Sequence, residues 1–375
     1  MTANRRSPAA PNERELRLSR IGRALAFSFG AAVLVAAGVF YSLVVLLDVE
    51  EIGSTANLDA KTLFDLVKLS LGVVAGSGAL VALVVAYRRQ RVDEAGAHRE
   101  ATRLHTERFT QAVEQLGSDS PAVRLGGVHA LAGLADDAPD DNLRQTCIDV
   151  LCAYLRLPSP TDPGEPPGRM PDGTPPADDR LEAHQDKKDR YHAFREVRHT
   201  IFRLIGDHYR LGGDEHRSWQ GRDLDLTRVT IDGDMDFGGA VFSGGRVSFG
   251  GAVFSGGEVS FREVTFSGSR VSFNRATFSR GGMHFDRAMF SRGRVHFHRA
   301  TFSGSEVSFI HTAFSGSEVS FGNATFSGGT YFHGSMFFGG RVSFHGVTGP
   351  APAGLLDAFG IPIPETVVLP SHWLP

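Results

Sequence analysis

The chain has 375 residues with 39 basic and 42 acidic side chains, a net charge of −3 that gives no global reason to expect nucleic acid. Its two cysteines, Cys147 and Cys152, have no second ligand pair beside them, which argues against a disulfide framework and against a zinc site of ordinary spacing. The 28 Phe fall mostly after residue 236, and with 44 Gly they are a skew that a repeat produces and an ordinary mixed core does not.

In chain order, a basic arm (1–23) holding Arg5, Arg6, Arg14, Arg17, Arg20 and Arg23 precedes an uncharged apolar run, 24–47. As a helix that run would extend ~36 Å, enough to cross a bilayer. An acidic loop, 48–68, leads to a second apolar run, 69–87, of ~28 Å, which ends at Arg88 and Arg89. The pair predicts a two-helix transmembrane hairpin in the lipid bilayer, and an uncleaved anchor fits it better than a signal peptide. The positive-inside rule then gives a two-pass protein of the cell membrane with both termini cytoplasmic and the loop outside. Gly72 and Gly76 form a G-x-x-x-G that would pack against the first span or against a second copy, the latter making a homo-oligomer.

From 97 to 156 the apolar period is helical, through Phe109, Val113 and Leu116, then Leu125, Val128, Leu131 and Ala135. Ile148, Leu151, Cys152 and Leu155 form a third stripe, with Asp141 and Asn142 as its expected N-caps. This is read as a small α-helical subdomain. A Pro-rich linker (157–180) follows, and then a helix leading into the repeat (181–220), with Tyr191, Phe194, Val197, Ile201, Leu204 and Ile205 on one face. Arg195, Arg198 and His199 are expected on its solvated side.

The repeat itself runs from 221 to 347. Phe recurs as Phe249, Phe254, Phe261, Phe266, Phe273, Phe278, Phe285, Phe290, Phe297, Phe302, Phe309, Phe314, Phe321 and Phe326, at alternating spacings of five and seven. Val or Ala usually precedes each by two positions, as in Val247 and Ala252, so an extended unit turns one large and one small apolar residue inward. Gly gathers in the seven-residue gaps, where a corner would favour positive φ. These residues resemble the pentapeptide-repeat family. The resemblance implies a right-handed quadrilateral β-helix of four units per coil, and 348–375, with Leu355, Leu356, Phe359, Ile361, Ile363, Val368 and Trp373, would form its C-terminal cap. The stretch from Phe109 to Ala135 also resembles a helical segment of membrane-anchored bacterial members, of actinobacterial type and unknown function.

The two-residue inserts leave two coil lengths open. Twelve-residue coils would place Arg246, Glu258, Arg270, Arg294 and Glu306 beside opposite charges, whereas 24-residue coils stack Arg246, Arg270 and Arg294 on one another. Exposed like charges ~5 Å apart cost only about 0.8 kcal/mol in water, and a twelve-residue loop has little room for two Phe, a Val and an Ala. Volume therefore favours the larger coil.

No catalytic, cofactor-binding or metal-ligating set is expected. Asp232, Asp234 and Asp236 lack the Gly and Glu that an EF-hand loop needs, and His284, His296 and His298 have no accompanying ligand cluster. The surface arginines Arg246, Arg270 and Arg294 are the candidate interaction surface. Ten Arg against five acidic residues between 240 and 347 is the wrong sign for imitating DNA. The reading is a membrane-tethered, non-catalytic scaffold for a protein partner. The alternatives are an accessory subunit of a membrane complex acting through the spans, a DNA-mimicking topoisomerase regulator and a hydrolase.

Overall fold

The computed structural model describes residues 60–158, 160–168, 176–360 and 362–374, with scattered positions between 27 and 45. It divides into two compact units, Met1–Arg99 and Glu100–Pro375. Helix α1 (Ala60–Leu116) runs unbroken for 57 residues and belongs to the first unit up to residue 99. The second expected span, Leu69–Tyr87, is a segment of this helix, which continues into a charged remainder from Arg88 onward. Among the described residues no helix is long and apolar enough to cross a membrane. This overturns the transmembrane hairpin and the two-pass, cytoplasm-facing membrane localisation drawn from it. The first expected span, 24–47, lies largely outside the described residues.

In the second unit, α2 (Pro121–Asp136), α3 (Asp141–Leu155) and α4 (Asp178–Arg210) bury their apolar stripes together, with Leu131, Ala135, Ile148, Leu151, Val197 and Ile201 fully enclosed. The cap of α3 is Asp140, one residue before the expected Asp141. Its carboxylate accepts the Asn142 and Leu143 N–H groups, both at 2.9 Å.

After α4 the chain winds into a right-handed β-solenoid of about 6 turns. Strands of two or three residues, from β1 (Leu224–Asp225) to β21 (Arg341–Ser343), stack as four parallel sheets, one per face. The first face holds β1, β5 (Arg246–Ser248), β9 (Arg270–Ser272), β13 (Arg294–His296), β17 (Glu318–Ser320), β21 and β22 (Val367–Val368). Val247 pairs with Val271, Val271 with Val295 and Val295 with Val319, so the central coils hold twenty-four residues. Volume thus decides the coil length against the electrostatic preference.

The interior shows why. All fourteen repeat Phe, from Phe249 to Phe326, are at most 2% exposed. Each stacks on its counterpart one coil away: Phe249 on Phe273 at 5.0 Å between centroids and 1° between planes, Phe273 on Phe297 at 4.8 Å and 4°. Across the interior, first-face rings meet third-face rings edge-on, Phe261 lying 6.0 Å from Phe273 at 89°. First- and third-face rings therefore take part in both favourable aromatic geometries.

The corners follow from local chemistry. Where Ser precedes a first- or third-face Phe its hydroxyl turns back to the corner: Asn274 N–H donates to Ser272 Oγ at 3.4 Å, and Gly322 N–H to Ser320 Oγ at 3.3 Å. In the first coil Asp225 and Asp236 take that place, accepting Thr227 N–H and Gly238 N–H. The next residue is left-handed even where it is not glycine; Arg228, Glu263, Arg275, Arg287, Arg299, His311 and Asn323 all have φ between 55° and 59°. In the longer corners glycine is needed for a different reason. A Cβ on Gly281 would lie 2.1 Å from the Gly257 carbonyl oxygen of the preceding coil, and one on Gly293 2.4 Å from that of Ser269.

Both ends of the Phe interior are covered. Tyr209 of α4 lies 4.7 Å from the Phe242 ring, and Gly206 brings the α4 backbone close to Asp236 and Phe237. Trp219 stacks on His208 at 4.2 Å and donates its indole N–H to Asp136 at 3.1 Å, joining α2, α4 and the solenoid entrance. At the far end Phe359 of α5 (Leu355–Phe359) lies 4.6 Å from Phe337, and Trp373 5.5 Å from Phe344. Ile361 lies outside the described residues, while Leu356 and Val368 are exposed.

Two substitutions test this packing by chemical denaturation. Phe273→Ala removes a ring from the middle of its column and should cost about 3–5 kcal/mol, whereas Phe273→Leu should cost under about 1.5 kcal/mol. In an open helix Gly206→Ala would stabilise by about 1 kcal/mol. Here the new Cβ would sit 2.7 Å from the Asp236 carbonyl oxygen, so the substitution should destabilise instead.

Candidate interaction surface

With Phe, Val and Ala turned inward, the surface of the solenoid is written by the outward positions of each strand and corner. The first strand position of the first face runs Arg246, Arg270, Arg294, Glu318 and Arg341, each beside the next in register. All are exposed, and Arg294 pairs with Glu318 at 3.3 Å. The structure therefore brings the three sequence-nominated arginines, Arg246, Arg270 and Arg294, together in one column. Beyond the Ser272 and His296 row, the following corner adds exposed Arg275 and Arg299.

On the third face the same register position reads Glu258, Gly282, Glu306 and Gly329. His284 joins Glu258 there at 2.7 Å, Arg262 meets Asp286 at 3.4 Å and Arg287 meets Glu263 at 3.3 Å. The twelve-residue repeat alternates Arg with Glu or Gly over this stretch, and a 24-residue coil sorts them onto opposite faces.

A family model described as pentapeptide repeats, in nine copies, matches residues 285–336. This segment of the solenoid is a run of pentapeptide repeats. No curated protein and no solved structure matches it. The matched segment lies wholly within the described solenoid, where strands follow the five-and-seven spacing of Phe.

The remaining nominated groups are dispersed over this pentapeptide-repeat protein. His296 and His298 belong to the first face and its corner, opposite His284, and among the described residues no cluster of three His, Cys, Asp or Glu side chains could hold a metal ion. A cavity of about 320 Å³ lies between α4 and the first coil, bordered by His192, Arg195, Glu196, His199, Asp232 and Asp234. Its charges are mixed, Tyr191 donates to Asp232 at 3.0 Å, and neither a thiol, a serine nor a lysine borders it. In the first unit a Cβ at Gly72 or Gly76 would meet no described atom within 4 Å.

Sequence reasoning missed Arg198. Expected in solvent, it is 4% exposed and donates to the carbonyls of Leu155 and Thr230, fastening α3 and the first coil to α4. Burial lowers its pKa. The signal was in the spacing: Arg198 stands four residues after Phe194, whose ring it overlies at 5.6 Å, and three before Ile201, so it belongs to the apolar stripe.

Burial also governs the two cysteines. It pushes both thiols up to about 12 from an ordinary 9.0. Both should resist an aromatic disulfide reagent in the native chain and react once it is denatured. The neutral thiol is the form the fold favours, so their stabilising contribution is full below pH 9.0 and is lost as pH rises toward about 12. Replacing both with Ala should flatten that alkaline loss in denaturation curves measured at several pH values.

Proposed function

We propose that this pentapeptide-repeat protein is a non-catalytic scaffold whose solenoid binds a protein partner through its outer surface. One observation carries the reading: the repeat interior is filled by stacked Phe, so what differs from coil to coil is the set of outward side chains. A rigid surface whose strand positions recur at ~4.8 Å suits the recognition of another chain by many modest contacts. The ion-paired His284, the mixed-charge cavity and the buried thiols offer no nucleophile activated by a base, which favours binding over turnover.

Photo-crosslinking of the full chain in its native cell tests this. A photoreactive residue at the outward positions Ser272 or Thr301 should yield protein adducts, identified by mass spectrometry, that are absent with the residue at Arg99 of α1. Adducts confined to the helical region would contradict a solenoid scaffold.

A further inference from the structure

We propose that the first face of the solenoid is a docking surface for a carboxylate-rich polypeptide. The inference rests on the scaffold reading and gives its partner a chemistry. Between 240 and 347 the chain has ten Arg, no Lys and five acidic residues. Seven of those Arg lie on the first face or its two bordering corners with a single acid, Glu318, while the other four acids lie on the third face and its corner. Of the other three Arg, Arg262 and Arg287 are ion-paired beside those acids, and Arg280 is exposed at the corner before the third face. Among the described residues Arg246, Arg270, Arg275, Arg299 and Arg341 form no ion pair, and all five are exposed.

Segregation of this kind has a cost. Arg246, Arg270 and Arg294 follow one another at the ~4.8 Å strand spacing, and each such neighbour pair repels by roughly 0.8 kcal/mol in water. Of the glutamates at the equivalent outward position, Glu318 relieves Arg294 on this face, while Glu258 and Glu306 stand on the opposite one, so the repulsion between Arg246 and Arg270 is left where an anionic partner would relieve it. The two arginine columns, Arg246 to Arg341 and Arg275 with Arg299, stand roughly 15 Å apart across a floor of Ser and His and extend roughly 20 Å along the axis. A flat strip of that size takes an extended acidic segment lengthwise, each guanidinium fork holding a carboxylate through two parallel hydrogen bonds.

Nucleic acid fits less well. Single strands are held by aromatic side chains on which bases stack, and the exposed Phe among the described solenoid residues, Phe338, lies on the fourth face. Sequence-reading duplex binders send a helix or ribbon into a groove, and among the described residues no helix is inserted between β1 and β21.

The test uses the full chain and a fluorescein-labelled poly-glutamate peptide of about 20 residues, read by anisotropy at about 50 and 200 mM salt. Binding should weaken at least about fivefold at the higher salt. The triple variant Arg270→Gln, Arg275→Gln, Arg294→Gln should weaken it at least about tenfold, and the third-face pair Arg262→Gln, Arg287→Gln by less than about twofold. Arg270→Lys with Arg294→Lys, which keeps the charge, should retain most of the affinity and controls for a folding defect. Equal binding by the triple variant and the native chain would overturn the proposal. So would a labelled oligonucleotide, single-stranded or duplex, that binds the first face more tightly than the peptide. If crosslinks map to the solenoid but the triple variant binds the peptide normally, the scaffold stands and this face assignment falls. If crosslinks map elsewhere, the scaffold reading falls while the anisotropy still decides the charge of the face.

Discussion

Face-to-face stacking of Phe along the solenoid axis is the constraint on which the rest of this molecule depends. Ring centroids recur at 4.8–5.0 Å in the central columns, the same spacing at which parallel strands hydrogen-bond. Side-chain packing and backbone pairing therefore demand one repeat distance, and neither distorts the other. Rings of the first and third faces then fill the width of the coil edge-on. Four Phe, with the Val and Ala that precede them, need a coil of four sides, and this is what sets twenty-four residues per turn.

Charge placement is a consequence of that choice. A sequence that alternates Arg and Glu every twelve residues would neutralise itself in a two-sided coil. Wound into four sides, it becomes positive on one face and acidic on the other, where Glu258, Glu263 and Asp286 find His284, Arg287 and Arg262. Packing in the interior outweighs repulsion at the surface because ring burial contributes several kcal/mol per Phe and an exposed Arg pair costs under about one. The surface that results is thus set by the core's geometry acting on an alternating pattern.

Much of this was legible in the sequence because inward residues obey a strict period. The Phe spacing, the Val or Ala two positions earlier and the stacking of Arg246, Arg270 and Arg294 all follow from it. Other features were hidden because they depend on a single hydrogen bond or dihedral angle. A corner-closing Ser such as Ser272 reads as ordinary surface, and a left-handed Arg275 looks like any exposed arginine. Arg198 was misplaced because charge was weighed above its position on the apolar stripe. The transmembrane hairpin was drawn from apolar run length, whereas Leu69–Tyr87 is part of a much longer helix with a charged remainder and no described helix is long and apolar enough to cross a membrane.

Disulfide trapping addresses the coil itself most directly. Ser272 and His296 are register partners on adjacent strands of the first face, whereas Ser272 and His284 lie on opposite faces. Paired strand positions ~4.8 Å apart fall within the Cα separation that a disulfide accepts, and positions across a Phe-filled interior do not. Under mild oxidation Ser272→Cys with His296→Cys should crosslink within the chain, and Ser272→Cys with His284→Cys should stay reduced. The reverse outcome would mean a twelve-residue coil and would contradict the four-sided solenoid together with the charged face built on it.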